Sequence, residues 1–320
     1  MILITGSAGF IGYHTAEFFL KKNIKIIGID NLNDYYDIKL KKDRIKILNK
    51  KYKKNFKFIK LDINNYTKLN NLFLKFKIKK VIHLAAQAGV RYSIYNPNVY
   101  LNSNIIGFYN ILDISKNNKI KHFLFSSSSS VYGDQKKYPI EETNETSKPL
   151  SFYAATKKTN EVLSHSYSKI YKLPVSCLRL FTVYGPLGRP DMAPFKFTKA
   201  ALENKDIKVY NKGIHERDFT YVVDVAKAIY NIINKPPNDN MFQILNVCSS
   251  KTIKLMEFIK LIEKLTNKKI NKKFVKKQKG DVIKTYGNNS KLKKITKINK
   301  FVSVEEGMKN FIDWYIKYHV

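Results

Sequence analysis

The sequence predicts an α/β protein, a doubly wound parallel sheet with a smaller C-terminal lobe. Three observations carry that expectation. Short apolar runs alternate with helical stretches from Met1 to Phe181. The first run, Met1-Ile2-Leu3-Ile4, leads directly into a glycine loop, Thr5-Gly6-Ser7-Ala8-Gly9-Phe10-Ile11-Gly12, and then a helix. Beyond Arg189 the alternation loosens, and Pro190, Pro194, Gly213, Pro236 and Pro237 punctuate shorter pieces. Strands that alternate with helices run parallel, because each crossover returns the chain to the same end of the sheet.

Composition bounds the class. A chain of 320 residues, 44% hydrophobic and 13% aromatic, buries one large core or two smaller ones. Its net charge of +34 would suit a polyanion partner. The excess is almost all lysine, scattered among Asn and Ile, and no nucleic-acid recognition motif accompanies it. Solvated surface lysines from compositional bias are the expectation, with no nucleic-acid partner. Only Arg44, Arg91, Arg179, Arg189 and Arg217 are arginine. Where lysine has replaced so much, a retained arginine marks a need for planar, bidentate geometry. Cys177 and Cys248 lie in apolar, strand-like runs without metal-ligand spacing, and the six histidines form no cluster. A reduced, cytoplasmic setting without a metal is expected. The chain opens on a strand, so no signal peptide is expected, and no apolar run approaches membrane-spanning length.

The elements follow in order. Tyr13 to Lys22 reads as a helix, with Ala16, Phe19 and Leu20 inward. Strand, glycine loop and helix in succession are the context of a Rossmann-like dinucleotide site. Gly6 and Gly9 permit a tight turn and close approach to a pyrophosphate, and Gly12 lets the helix pack closely. The second strand, Lys25 to Ile29, ends at Asp30, eighteen positions beyond Gly12. A carboxylate there accepts from ribose hydroxyls and repels a 2′-phosphate, so NAD is expected over NADP. Asn31 to Lys54 reads as a loop and a basic helix, and Phe56 to Leu61 as a third strand ending at Asp62-Ile63, placed to contact adenine. The fourth strand, Lys80 to Ala86, carries His83 as a core residue, with small Ala85 and Ala86 where a cofactor would pass. Residues 99–117 read as a helix, and Lys121 to Phe125 as a fifth strand running into Ser126-Ser127-Ser128-Ser129-Ser130. At the end of a parallel strand such a run lies where open α/β sheets bind ligands.

A helix from Ser151 toward Lys172 carries Tyr153 and Lys157. Residues four apart share a helix face, and a nearby cation favours a phenolate, so the two form a candidate acid/base pair. Val175 to Phe181 is the sixth strand, and Leu255 to Leu265 and Glu306 to Tyr318 read as helices. Residues 1–188 are expected to form the NAD-binding domain, with about 214–250 returning to it. Residues 189–320 would be mainly a discontinuous substrate lobe.

Together, the glycine loop, the serine-ended fifth strand and Tyr153-x-x-x-Lys157 resemble the extended short-chain dehydrogenase/reductase family over essentially the full chain. Within that family, four stretches resemble the UDP-glucuronate 4-epimerases: Ala86 to Ser93, Ser126 to Gly133, Tyr153 to Lys158 and Phe181 to Pro186. Gly188-Arg189-Pro190-Asp191-Met192 and Arg217-Asp218-Phe219-Thr220-Tyr221, in the expected substrate lobe, are more specific. Lys279 departs from the family's usual proline before Gly280-Asp281.

The resemblance implies roles. Tyr153 would be the base at the sugar C4 hydroxyl, Lys157 would bind the nicotinamide ribose, and Ser128 would hydrogen-bond the same sugar oxygen. The cofactor set would be Gly6, Gly9, Phe10, Ile11, Gly12, Asp30, Asn31, Asn33, Asp62, Ile63, Leu84, Ala85, Ala86 and Ser103, with Tyr153 and Lys157. Arg217 would pair with the diphosphate of a UDP-sugar, and Gln278 and Asp281 would lie near the uridine. Arg189, Thr182, Ser129 and Arg91 are candidates for a C6 carboxylate. Dehydratases of the family place an Asp-Glu pair after the fifth strand, and decarboxylases a Glu; Ser129-Ser130 stands here instead. A neutral-sugar epimerase is the alternative within the class, and a non-catalytic NAD sensor or polyanion binder the alternative outside it. A homodimer on the helices at 99–117 and 151–172 is a further implication.

Overall fold

A run that is apolar throughout, rather than at every second residue, must be covered on both faces, and the fold satisfies that demand with helices on either side of one sheet. The computed structural model describes residues 1–238, 241–278 and 280–319. The first six strands are β1 (Ile2–Thr5), β2 (Ile26–Asp30), β3 (Phe56–Lys60), β4 (Lys80–His83), β5 (His122–Ser128) and β6 (Val175–Leu180). Later come β7 (Thr182–Tyr184), β8 (Ile207–Tyr210), β9 (Glu216–Tyr221), β10 (Phe242–Val247), β11 (Thr252–Lys254), β12 (Lys272–Val275) and β13 (Lys284–Thr285). Seven strands form one parallel sheet in the order β10-β6-β5-β4-β1-β2-β3. The chain winds outward from β1 in both directions, as the alternation of elements implies.

Two layers cover that sheet. On one face α1 (Phe10–Leu20) and α2 (Ile38–Lys51) pack with a helix from the second half, at Val222–Ile233; Phe19, Leu20, Leu48, Val225 and Ile229 are buried there. The other face holds α3 (Tyr66–Phe76), followed by two single turns, α4 (Tyr92–Tyr95) and α5 (Pro97–Tyr100), then α6 (Gly107–Asn117) and α7 (Phe152–Tyr171). Its core includes Leu69, Phe73, Phe108, Ile111, Phe123 and Cys177. The lobe is built on α8 (Ala193–Leu202), the small sheet β11-β9-β13 with β7 against β9, and the β8–β12 pair. Beyond the sheet-covering α9 (Val222–Ile233) lie α10 (Leu255–Thr266), α11 (Ser290–Thr296) and α12 (Val304–His319). Phe197, Phe219, Phe258 and Phe311 form the lobe's own core. Cys177 and Cys248 are both free and buried. Among the described residues no helix is long and apolar enough to cross a membrane.

Three elements depart from the sequence reading, each for a local reason. The fourth strand leaves the ladder after His83, because the Thr5 hydroxyl accepts from the amides of Leu84 and Ala85. The helix expected over 99–117 is interrupted by a π-helical turn, Leu101–Ile106. Such wide turns recur at functional sites because they re-aim a side chain. The serine run is itself strand: β5 extends through Ser128 before a 3-10 turn at Ser129–Tyr132.

Candidate active site

The crevice that the fold creates lies where the sheet order reverses, between β1 and β4. Gly6 leaves β1 with φ +71°, and a Cβ there would sit 2.7 Å from the Ala85 amide nitrogen. At Gly12 a Cβ would fall 2.0 Å from the Gly6 carbonyl oxygen. The loop and the first turn of α1 are thus pressed together, leaving backbone and the helix N-terminus to face an anion. Asp30 closes this end, its carboxylate accepting from the amides of Ala8 (3.2 Å) and Leu32 (2.8 Å). Burial pushes its pKa up, while those amides and the charge of Lys41 oppose the shift. Asn31 donates to Asp62 (2.9 Å), and the buried Lys41 ammonium holds the carbonyl and side-chain oxygens of Asn33 at 2.7 Å each.

The acid/base pair stands opposite. Ser151 caps α7, its hydroxyl accepting from the Ala154 amide at 3.1 Å, which fixes Tyr153 and Lys157 in the first two turns. Lys157 is buried and donates to the Ser126 carbonyl at 2.7 Å. Burial lowers its pKa to about 8, with Cys177 and Glu161 countering. For Tyr153, burial raises the phenol pKa, and the Ser128 hydroxyl and the Arg189 charge pull it back. Tyr100 packs edge-on against the Tyr153 ring, centroids 6.1 Å apart.

One cavity of about 1210 Å³ joins these features. Its wall holds Gly6, Gly9, Phe10, Ile11, Gly12, Asp30, Asn31, Asn33, Asp62, Ile63, Leu84, Ala85, Ala86, Ser103, Tyr153 and Lys157. Arg91, Ser128, Ser129, Thr182, Arg189, Arg217 and Asp281 line it as well. Gln278 does not; it lines a smaller adjoining space with Leu150, Lys277, Gly280 and Asp281. Lys279 lies outside the described residues. In the wall, Arg189 presents its fork to Asp191, Nε at 3.0 Å and Nη2 at 2.5 Å, and the Tyr35 hydroxyl donates to the same carboxylate at 3.2 Å. Arg217 is held by the carbonyls of Glu216, Val282 and Ile283. Arg91 pairs with Asp281 at 3.0 Å and lies 4.8 Å from the Tyr210 ring centre.

Several supporting residues escape sequence reasoning. Asn104, aimed by the π turn, accepts from the Gln87 amide (2.8 Å) and donates to the Gln87 carbonyl and the Thr156 hydroxyl (3.0 Å each). It thereby ties the Tyr153 helix to the end of the fourth strand. Fully buried Arg44 donates to the carbonyls of Ala8 and Leu187, bolting the glycine loop to the segment that follows β7. Arg179 grips Glu161 through Nε (2.9 Å) and Nη2 (2.8 Å), behind the serine run. Their only sequence signal is that they are arginines in a lysine-rich chain.

Residues 3–311 match the family model described as GDP-mannose 4,6 dehydratase. The chain belongs to that family, within the extended short-chain dehydrogenase/reductases. It is 42% identical to the UDP-glucuronate 4-epimerase of Thermodesulfobacterium geofontis over 98% of this chain and 95% of that one. Among solved structures, the Bacillus cereus UDP-glucuronic acid 4-epimerase in complex with UDP-glucuronic acid and NAD superposes with a TM-score of 0.93 at 33% identity, over 99% of each chain. The UDP-glucose 4-epimerase of Thermotoga maritima, bound to UDP-glucose, superposes at 0.90 with 28% identity, again over 99% of each.

Proposed function

We propose that this protein interconverts UDP-glucuronate and UDP-galacturonate by NAD-dependent epimerisation at C4. The observation that carries the reading is that Tyr153, Lys157 and Ser128 share one cavity wall with the glycine cradle and with Arg189 and Arg217. The cradle fits NAD: a Cβ would fill it at Gly6 or Gly12, and Asp30 stands where ribose hydroxyls would be met. The nicotinamide of NAD bound there supplies hydride chemistry at C4.

The protein's own residues do the rest. Tyr153 Oη takes the proton of the C4 hydroxyl and later returns it. Ser128 Oγ hydrogen-bonds the same oxygen, fixing it against the phenol. Lys157, kept charged at neutral pH, holds the ribose, while the Ser128 hydroxyl and the Arg189 charge favour the phenolate against burial. The 4-keto sugar turns over within the cavity, so both faces of C4 are presented in sequence and no net redox occurs. Proton return to oxygen needs no further acid, and the wall after β5 offers hydroxyls at Ser129 and Ser130 rather than the carboxylates that would drive dehydration. A 4-keto uronate is also a β-keto acid, and the short hydroxyls of Ser129, Ser130 and Thr182 suit a clamp against loss of CO₂.

Arg189 favours the uronate over a neutral sugar. It lines the same cavity as Tyr153, and its guanidinium is oriented by Asp191, whose carboxylate also accepts from the Tyr35 hydroxyl. The test is product analysis with UDP-glucuronate and UDP-glucose offered separately. Conversion of the uronate with little turnover of the glucose is expected, and equal rates on both would move the reading to a neutral-sugar epimerase.

The same reading extends to assembly and setting. Ile106 and Tyr109 on one side and Val162, Ile170 and Tyr171 on α7 are exposed apolar residues, a surface that a homodimer would cover. Light scattering should then give twice the chain mass. Two free, buried cysteines fit a cytoplasmic location.

A further inference from the structure

We propose that His215 is a proton-coupled contact for the diphosphate of the nucleotide sugar. The inference deepens the function proposed above and rests on it. His215 immediately precedes β9, lines the cavity and is 6% exposed. Its Nε2 is enclosed without a hydrogen-bond partner among the described residues. Buried polar atoms are rarely left so, and an unpartnered one in a cavity wall points to a missing ligand.

The surroundings say which kind. Arg217 comes from β9, Arg91 from the loop after β4 and Lys277 from the loop before β13, against one carboxylate, Asp281. That carboxylate is already paired with Arg91 at 3.0 Å. Glu216, the first residue of β9, is paired with Lys284 of neighbouring β13 at 3.1 Å, and Lys254 of β11 stands opposite it. The Leu255 amide donates to the His215 carbonyl at 2.8 Å, fixing the backbone there. Among the described residues Arg217 has no carboxylate within ion-pair distance. This end of the cavity is therefore short of negative charge.

Without a ligand, burial and these cations hold the imidazole neutral, lowering its pKa. A diphosphate reverses both influences, because it brings negative charge and acceptor oxygens to a ring that becomes a donor at both nitrogens when protonated. Binding then takes up a proton. Affinity is greatest below the ligand-free pKa and weakens as pH rises toward the ligand-bound one, by up to about tenfold per pH unit.

Calorimetry with UDP-glucose tests this, since its diphosphate diester has no group titrating near neutrality. Titrations at about pH 6, 7 and 8, in buffers of different ionisation heat, should show net proton uptake and weaker binding as pH rises. His215→Gln and His215→Asn, checked for an unchanged melting curve, should still bind but lose the uptake and flatten the slope. Uridine, which lacks phosphate, should show no uptake. Uptake that persists in both variants, or that appears with uridine, overturns the proposal. Binding of UDP-glucose without uptake removes His215 from the diphosphate and leaves the nucleotide-sugar reading intact. No binding of either UDP-glucose or UDP-glucuronate at any pH sinks both.

Discussion

Replacing Glu161 by Gln should unsettle the fold and the site together. The carboxylate is 2% exposed and accepts two hydrogen bonds from an equally buried Arg179, at 2.9 and 2.8 Å, and a third from Ser127 at 2.7 Å. Removing one partner of such a pair typically costs about 3–5 kcal/mol, because the other charge stays buried. Glutamine keeps one oxygen for Ser127 or Arg179, which places the loss near the lower end, about 3 kcal/mol. Urea unfolding followed by circular dichroism at pH 7 should show that loss. Removing both charges, as Glu161→Leu with Arg179→Met, should recover most of it. The Glu161 pKa is lowered, burial being outweighed by Arg179 and Ser127, so its contribution is present above the unfolded value near pH ~4.3 and fades as pH falls through the folded one. The gap between parent and Glu161→Gln should close accordingly in acid. Glu161 also helps hold up the Lys157 pKa against burial, so the alkaline limb of activity should move to lower pH in the variant. A loss under 1 kcal/mol, or an unmoved alkaline limb, would refute this account of the pair.

Three further outcomes follow from the same structure. Tyr153→Phe should lower kcat by ~10²–10⁴-fold with UDP-sugar binding largely kept, as removal of a positioned acid/base does; activity within a few-fold of the parent would move the proton transfer elsewhere. Arg189→Lys keeps the charge but loses the fork that grips Asp191 and, on the proposed reading, holds the guanidinium in place for the uronate. It should reduce kcat/KM for UDP-glucuronate by about tenfold or more, the worth of one charge-assisted bond, without creating UDP-glucose turnover. Stability should fall between pH 7 and pH 5: His14 and His122, each lowered to about 4 by burial, and His83, lowered to about 3, stay neutral in the fold while the unfolded chain charges them. Asp218, pushed up to about 6 by burial, acts in the opposite sense and offsets roughly one of the three protons. Equal urea midpoints at the two pH values would contradict the assignment.

What was legible in the sequence was what local geometry dictates. The glycine loop must be glycine because Gly6 and Gly12 have no room for a side chain, and the tyrosine and lysine of α7 sit one helical turn apart whatever surrounds them. That the strands run parallel followed from the alternation of elements; their order in the sheet did not. Contacts between distant parts of the chain were not legible. Arg44 and Arg179 stand out by residue type as clearly as Arg189 and Arg217, yet they bolt backbone and carboxylate inside the core, because their partners lie far away in sequence. The use of Asn104 depends on a π turn that no apolar period announces. His83 was read correctly as core: the Thr5 hydroxyl, already accepting from two amides, gives its proton to Nδ1 at 2.8 Å and leaves Nε2 protonated. The resemblance puts Arg189 at the substrate's C6 carboxylate; in the structure its Nε and Nη2 are taken by Asp191 of its own loop, a partner that residue type alone does not reveal.

The central claim is that hydride leaves C4, stays within the protein and returns to the other face. UDP-glucuronate carrying deuterium at C4, incubated with the protein and no added NAD, tests it directly. The account predicts UDP-galacturonate that retains the deuterium at C4, and unlabelled substrate in D₂O that gains none. Loss of the label to solvent, or deuterium entering C4 from D₂O, would contradict it.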